Sequence, residues 1–309
     1  MADIIKALIE ATNSDGGFLV PEIFAARLEA LIQEKTTVIP DLDQVSMTSD
    51  TLHIPKVTAG TTARIIGELT TITGSAPTFG RTTLQPIKFA ALVTASTEFL
   101  EDNNVAYANR IVEQMTEDLA LEIENQIFNG TTSTLGFVGL RDTGSFTNSV
   151  SAGNNAVLGG TIGVIDFSNA IDEVMSDNHV SPNVTYMHSR VLGDVRNITD
   201  GSARPVFNME TFGSPLLREG VIGTIYGMGV KTANKLPINL SYGTGGSNTA
   251  SDAIVGVKNQ FGYYSVRRDF RLNRDFNINN DADIVQLNTR TAFNTKYPNA
   301  YCVIRDIHV

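Results

Sequence analysis

Cysteine is almost missing from this chain: Cys302 stands alone among 309 residues. That excludes an intrachain disulfide framework and any cysteine-built metal cluster, and it suits a reducing cytoplasm. Histidine is scarce too. His53, His179, His188 and His308 form no HExxH and no close pair, so they compose no zinc site and are expected at surfaces or interfaces. Nothing approaches the roughly 20 continuous apolar residues that a bilayer span requires. The amino terminus, MADIIKALIEATNSDGG, carries Asp3 and Glu10 and lacks the apolar stretch of a signal peptide. A soluble, unexported chain is expected, with no membrane partner. Basic residues are in deficit, 23 Lys and Arg against 33 Asp and Glu, for a net charge of −10. That disfavours tight general binding to nucleic acid, whose affinity comes mainly from phosphate neutralisation, and it favours solubility.

Recognisable chemistry is missing as well. Neither a phosphate-binding GxxxxGK[ST] nor a nucleophile-elbow GxSxG occurs, and GTGGS at 243–247 runs into SNTASD, which makes it a loop tip. The nearest metal-like pattern is Asp275, Asn277, Asn279 and Asp281 in DFNINNDAD. Asn280 stands where a calcium loop has its sixth-position Gly and Gln286 where it has its twelfth-position Glu, so a polar turn between strands is expected. No catalytic residue, cofactor-binding residue, metal ligand or cofactor is assigned, and an enzyme is not expected.

What is present is a globular composition, 42% apolar, enough for a real core and, at this length, roughly two domains. The strongest periodic signal lies at 105–128. Ala108, Ile111, Val112, Met115, Leu119, Ile123 and Ile127 share one side of a helix. Glu113, Glu117, Asp118, Glu122 and Glu124 line the opposite, solvated face. Asn104 is a candidate cap, and Asn129-Gly130 ends the helix in residues that tolerate left-handed backbone. Upstream, 3–10 and 21–35 have the spacing of short amphipathic helices, and β character begins after Val38. The segment 57–86 is rich in Thr and Gly with a turn at 74–77, which predicts a long hairpin. It carries few large apolar groups, and such a hairpin is not stable alone in water. PIKFAALVTASTEF at 86–99 then predicts a buried strand feeding the helix. Downstream, 161–252 alternates helix and strand as a mixed α/β unit, and 253–309 is mostly strand, returning the carboxyl terminus to the long helix.

In order, GGFLVPEIF, LHIPKV, the Thr/Gly-rich hairpin, PIKFAALVTASTEFLED, a long helix ending in NG, LGFVGL, IYGMGVKTANKLP and IVQLNTRTAF resemble the major capsid proteins of tailed bacteriophages. The resemblance covers nearly the whole chain. It implies an α+β, Hong Kong 97-like capsid fold. In that fold 1–35 is the N-terminal arm, 36–56 the first strand region of the peripheral domain and 57–86 the extended loop. Residues 87–160 are the peripheral domain with its spine helix at 105–128, 161–252 the axial domain and 253–309 the return strands. It also implies a virion protein, assembled in the host cytoplasm, whose copies form pentamers and hexamers of an icosahedral head around double-stranded DNA. Separate scaffolding, portal and cement proteins are the partners expected of it, with weak non-specific contact to the packaged DNA. An encapsulin-type compartment shell is the alternative of the same fold, and a soluble β-rich binding module the alternative of another class.

Two departures carry expectations. Some relatives crosslink an extended-loop lysine to a neighbour's asparagine, but 57–86 has Arg64 and Arg81 and no lysine, so a shell without covalent crosslinks is expected. Others carry a fused scaffolding segment ahead of the arm. Here Met1 directly precedes the arm, so scaffolding is expected to be a separate protein or not required, or the sequence starts after processing, against which the intact Met1 argues. Finally, Arg267, Arg268, Arg271 and Arg274 crowd one strand-like segment beside Asp269 and Asp275. Since guanidinium binds carboxylate with two hydrogen bonds, these arginines are expected to pair with acids of adjacent subunits. The contact residues expected are Arg267, Arg268 and Arg271 on this segment, and Arg64, Glu68 and Arg81 on the extended loop.

Overall fold

The computed structural model describes residues 36–68, 71, 73–96, 106–131, 136–152, 160–199, 202, 204–209, 220–241, 249–278 and 280–308. The expected helices at 3–10 and 21–35, the Asn104 cap and the 243–247 tip lie outside the described residues. After a 3-10 turn at Ile39–Asp41, the strands β1 (Asp43–Gln44), β2 (Leu52–Ala59), β3 (Thr78–Leu84) and β4 (Ile87–Ser96) lead to the helix α1 (Ala106–Asn129). Next come β5 (Asn148–Ser151), α2 (Val164–Asn178), β6 (Val184–Met187), α3 (Ser189–Arg196), β7 (Asn208–Met209), β8 (Gly223–Ile225) and β9 (Met228–Thr232). The chain closes with β10 (Ala250–Gly256), β11 (Gly262–Asn277), β12 (Ala282–Thr295) and β13 (Tyr301–His308).

α1 forms for the reason its spacing gives. Met115, Leu119, Ile123 and Ile127 are buried on one stripe, and Ile111 and Val112 pack partly against the same core. Glu124 departs from the expected solvated face. It is only 4% exposed, because the chain at Thr37 crosses over it and donates its backbone N–H to the carboxylate at 3.0 Å. The end of α1 also differs in mechanism. Gly130 has no left-handed backbone; a Cβ there would meet the Phe137 carbonyl oxygen at 2.1 Å. Glycine is required by the close approach of the 136–140 segment, whose Gly139 donates to the Gly130 carbonyl at 2.9 Å.

Below α1 lies a four-stranded sheet in the order β1-β11-β12-β4. β4 is half buried, where a buried strand was expected. Phe89, Ala91 and Val93 face α1 with Leu272 and Leu287, while Lys88, Ala90, Leu92 and Thr94 alternate outward, exposed. A seven-stranded mixed sheet runs β5-β13-β10-β6-β9-β8-β7. It separates two cores by alternation, interrupted by a register shift between Ser251 and Ala253. Ile254, Tyr301, Val303 and Tyr186 point to the α1 side, where Phe128 and Phe261 stack edge-on and tilted against Tyr186. Ala253, Val255, Cys302, Ile304 and Ile307 point to the other side, where α2 and α3 cover them with Phe167, Val174, Val191 and Val195.

Two expected boundaries shift. The division at 252 runs through β10, and the last strand β13 inserts between β5 and β10 of the same sheet that holds β6 and β9. Long-range pairing placed it, and no local pattern in NAYCVIRDIHV carries that information. The hairpin starts earlier than 57: β2 pairs with β3 from Leu52↔Leu84 to Ala59↔Thr78. Its turn signal at 74–77 lies at the entry to β3. Residues 60–77 form a tip without ladder pairing among the described residues, tied by the Thr62 N–H donating to Ser75 Oγ at 2.8 Å.

Candidate assembly surfaces

Among the described residues the β2–β3 hairpin is anchored at its base. There Leu84, Met47 and Ala292 are buried together, with Leu52, Ile54 and Tyr263 packed partly against them, and Asn294 donates to the Thr83 carbonyl at 2.8 Å. Beyond the base, one face of the hairpin is bare. Pro55, Val57, Phe79 and Arg81 are exposed, and Val57 and Phe79 are directly paired across the strands at 60% and 71% exposure. A cross-strand apolar pair stabilises a sheet when it is covered. Here the described residues supply no cover. At the tip Ile65 is fully exposed beside Arg64, and Glu68 is exposed as well. Arg64, Glu68 and Arg81 form no ion pair among the described residues. Lys56 falls inside the observed hairpin, where it pairs with Gly80 and its stem lies along that glycine.

The arginine-rich segment is β11, and its side chains diverge. Arg267 Nε lies 3.7 Å from Asp50, which also lies 4.0 Å from Arg290. Arg268 donates to Asn288, and Arg274 grips Asp283 through Nε at 3.2 Å and Nη2 at 2.6 Å. Irregularities in the β11–β12 register between Val266 and Arg271 break the simple alternation. Intrachain partners therefore occupy three of the four arginines. Arg271, opposite Asn288 and half buried, makes no ion pair among the described residues. The structure does not bring Arg64, Glu68 or Arg81 to the β11 arginines within one chain. On the outer sheet face, Lys88, Arg290 and Arg268 stand side by side across β4, β12 and β11, a row of like charge. Of the Asp275–Asp281 pattern, Asp275 and Asn277 lie at the end of β11 and Asp281 just before β12, and Asp275 accepts from the Phe276 N–H.

Three buried polar clusters had no sequence signal. Asp41 accepts from buried Lys231 at 2.7 Å and from the Tyr186 hydroxyl, with Lys258 3.5 Å away. Burial and the adjacent Asp41 charge hold the Tyr186 hydroxyl well above its usual range. Arg141 binds Asp252 at 2.6 Å and donates to Asn129 at 2.8 Å, tying the end of α1 to β10. Glu124 joins α1 to Thr37. Their members stand up to 190 positions apart, so no spacing rule could find them. Two of the histidines serve local geometry: His188 caps α3 by accepting from the Arg190 N–H, and His179 ends α2 in left-handed backbone. Among the described residues no helix is long and apolar enough to cross a membrane.

The hairpin, the long helix and the two sheets set the frame of the fold. The Phage capsid family matches residues 16–305. The chain belongs to the phage capsid family. It is a structural protein of phage heads by that membership, and its α+β fold is shared with solved capsid chains. The capsid of a native GTA particle matches with TM-score 0.68 at 15% identity, covering 96% of this chain and 94% of that one. A chain of Mycobacterium phage Adephagia matches with TM-score 0.64 at 14% identity, covering 99% and 97%. A chain of Gordonia phage Cozz matches with TM-score 0.64 at 16% identity, covering 87% and 86%. At these identities the likeness is one of fold. No curated protein matches the chain.

Proposed function

We propose that this chain is the major shell subunit of a phage head, and that its copies close into an icosahedral container by burying the surfaces left bare in one chain. The observation that carries the reading is the β2–β3 hairpin, which projects a Val57–Phe79 pair that is exposed among the described residues. A hairpin of this kind gains stability when a neighbouring copy supplies the missing layer. In this reading 57–86 is the extended loop, α1 the spine of the peripheral domain and 1–35 the arm. The unit at 161–252 is axial, completed by β13. Copies group as pentamers and hexamers in the virion, around double-stranded DNA, with assembly in the host cytoplasm and without covalent crosslinks. Scaffolding, portal and cement proteins would be separate chains. In this reading Glu68 of one copy meets Arg271 of another, since neither makes an ion pair among the described residues.

Val57→Asp with Phe79→Asp tests the reading. Both side chains are exposed, so the subunit is expected to keep its circular dichroism and unfolding temperature while particle yield collapses; Glu68→Lys is expected to weaken assembly less. Shells formed at normal yield by the double variant would remove the hairpin from the account.

A further inference from the structure

Two exposed helix faces on the seven-stranded sheet carry opposite charge. On α2, Ile165, Ser168, Asp172 and Met175 fall on one stripe, with Glu173 and Asp177 beside it, all exposed. Ile165 is 69% and Met175 45% exposed. α2 contains no Lys or Arg. Glu173 and Asp177 lie one turn apart toward its carboxyl end, where like charges repel and unpaired carbonyls already concentrate negative potential. α3 has the converse defect. Arg190 lies in its first turn, where unpaired amides repel a cation, and burial first and Arg190 second hold the His188 pKa below its ordinary value. Arg196 is exposed in the last turn, and Asp194 between them is half buried in the cleft against the start of α2. None of Asp172, Glu173, Asp177, Arg190 and Arg196 makes an ion pair among the described residues. α2 lies across β5, β13 and β10 at one edge of the sheet, whereas α3 leaves β6 at its middle.

We propose that the acidic, apolar stripe of α2 seats on Arg190 and Arg196 of α3 in a second copy. The inference rests on the shell reading and names the surfaces that join copies within a ring. Each partner brings the charge that the other helix end lacks, and Ile165 and Met175 lose water at the centre. The two patches are different parts of one surface, so the contact is head-to-tail and propagates until a ring closes.

Charge exchange on the full chain tests it, read by negative-stain microscopy and sedimentation. Asp172→Lys with Asp177→Lys, and separately Arg190→Glu with Arg196→Glu, are expected to leave the circular dichroism and unfolding temperature unchanged. Each pair should cut the assembled fraction about tenfold, because like charges then face each other at the contact. All four substitutions in one chain should restore assembly. An equimolar mixture of the two double variants should close rings of even copy number only, since unlike copies must alternate. Normal assembly of either double variant, or no recovery in the fourfold variant, would overturn the pairing while wild-type shells leave the container reading standing. Wild-type chains that never assemble would instead remove the reading on which it rests, and the pairing with it.

Discussion

Glu124 occupies the crossing of α1 and the segment at Thr37, and its protonation sets a pH dependence. Burial raises its pKa above the ordinary 4.5, and the Thr37 hydrogen bonds and the Lys235 charge offset only part of that rise. The folded chain therefore holds this proton more tightly than the unfolded chain. The resulting stabilisation is complete below about pH 4.5 and is lost as pH rises through the higher folded value. Glu124→Gln keeps an acceptor for Thr37 and cannot ionise. Its unfolding temperature is expected to fall less than wild type's between pH 4.5 and neutrality; an equal fall in both proteins would exclude Glu124 as the source. Asp41 differs in kind: with Lys231 it is a buried pair that stays costly to break, because removing one partner strands the other's charge. Cys302, packed under α2, has its thiol pushed up to about 12 by burial first and then by Glu173, which keeps it an inert core group.

At the scale of elements, the end of α1 gives the sharpest prediction. Gly130→Ala places a methyl group 2.1 Å from the Phe137 carbonyl oxygen and 2.6 Å from that of Gln126, so backbone must move. Unfolding temperature is expected to drop by several degrees, corresponding to a cost of about 1–3 kcal/mol; an unchanged value would mean that the 136–140 segment is not held against the helix. This element also shows what could be read beforehand. The α1 stripe was legible because a helix writes its core face into local spacing. The need for Gly130 was visible in NG, but its cause was not, since the opposing backbone arrives from Gly139. The β11 arginines were legible as a cluster, yet their partners Asp50, Asn288 and Asp283 depend on strand register and an irregular ladder. β4 shows the converse. Its apolar run suggested burial on both faces, and only the pairing with β12 shows that Leu92 is left 60% exposed.

For the whole molecule, the sequence order of parts carried the fold, because each part has its own local pattern and the family resemblance spans nearly all of them. The closure of the seven-stranded sheet by β13 was not legible, since it joins residues near 150, 254 and 304 through pairing alone. The same limit applies to surfaces. Exposure of Val57, Phe79, Ile165 and Met175 among the described residues depends on long-range packing that no local pattern carries. In the proposed reading, function comes from burial shared among copies over the faces left exposed among the described residues. The most direct measurement is light scattering with negative-stain microscopy on the intact chain, expressed alone and together with a candidate scaffolding protein. Closed shells, or five- and six-membered rings, are the predicted result; a stable monomer under both conditions would contradict the account.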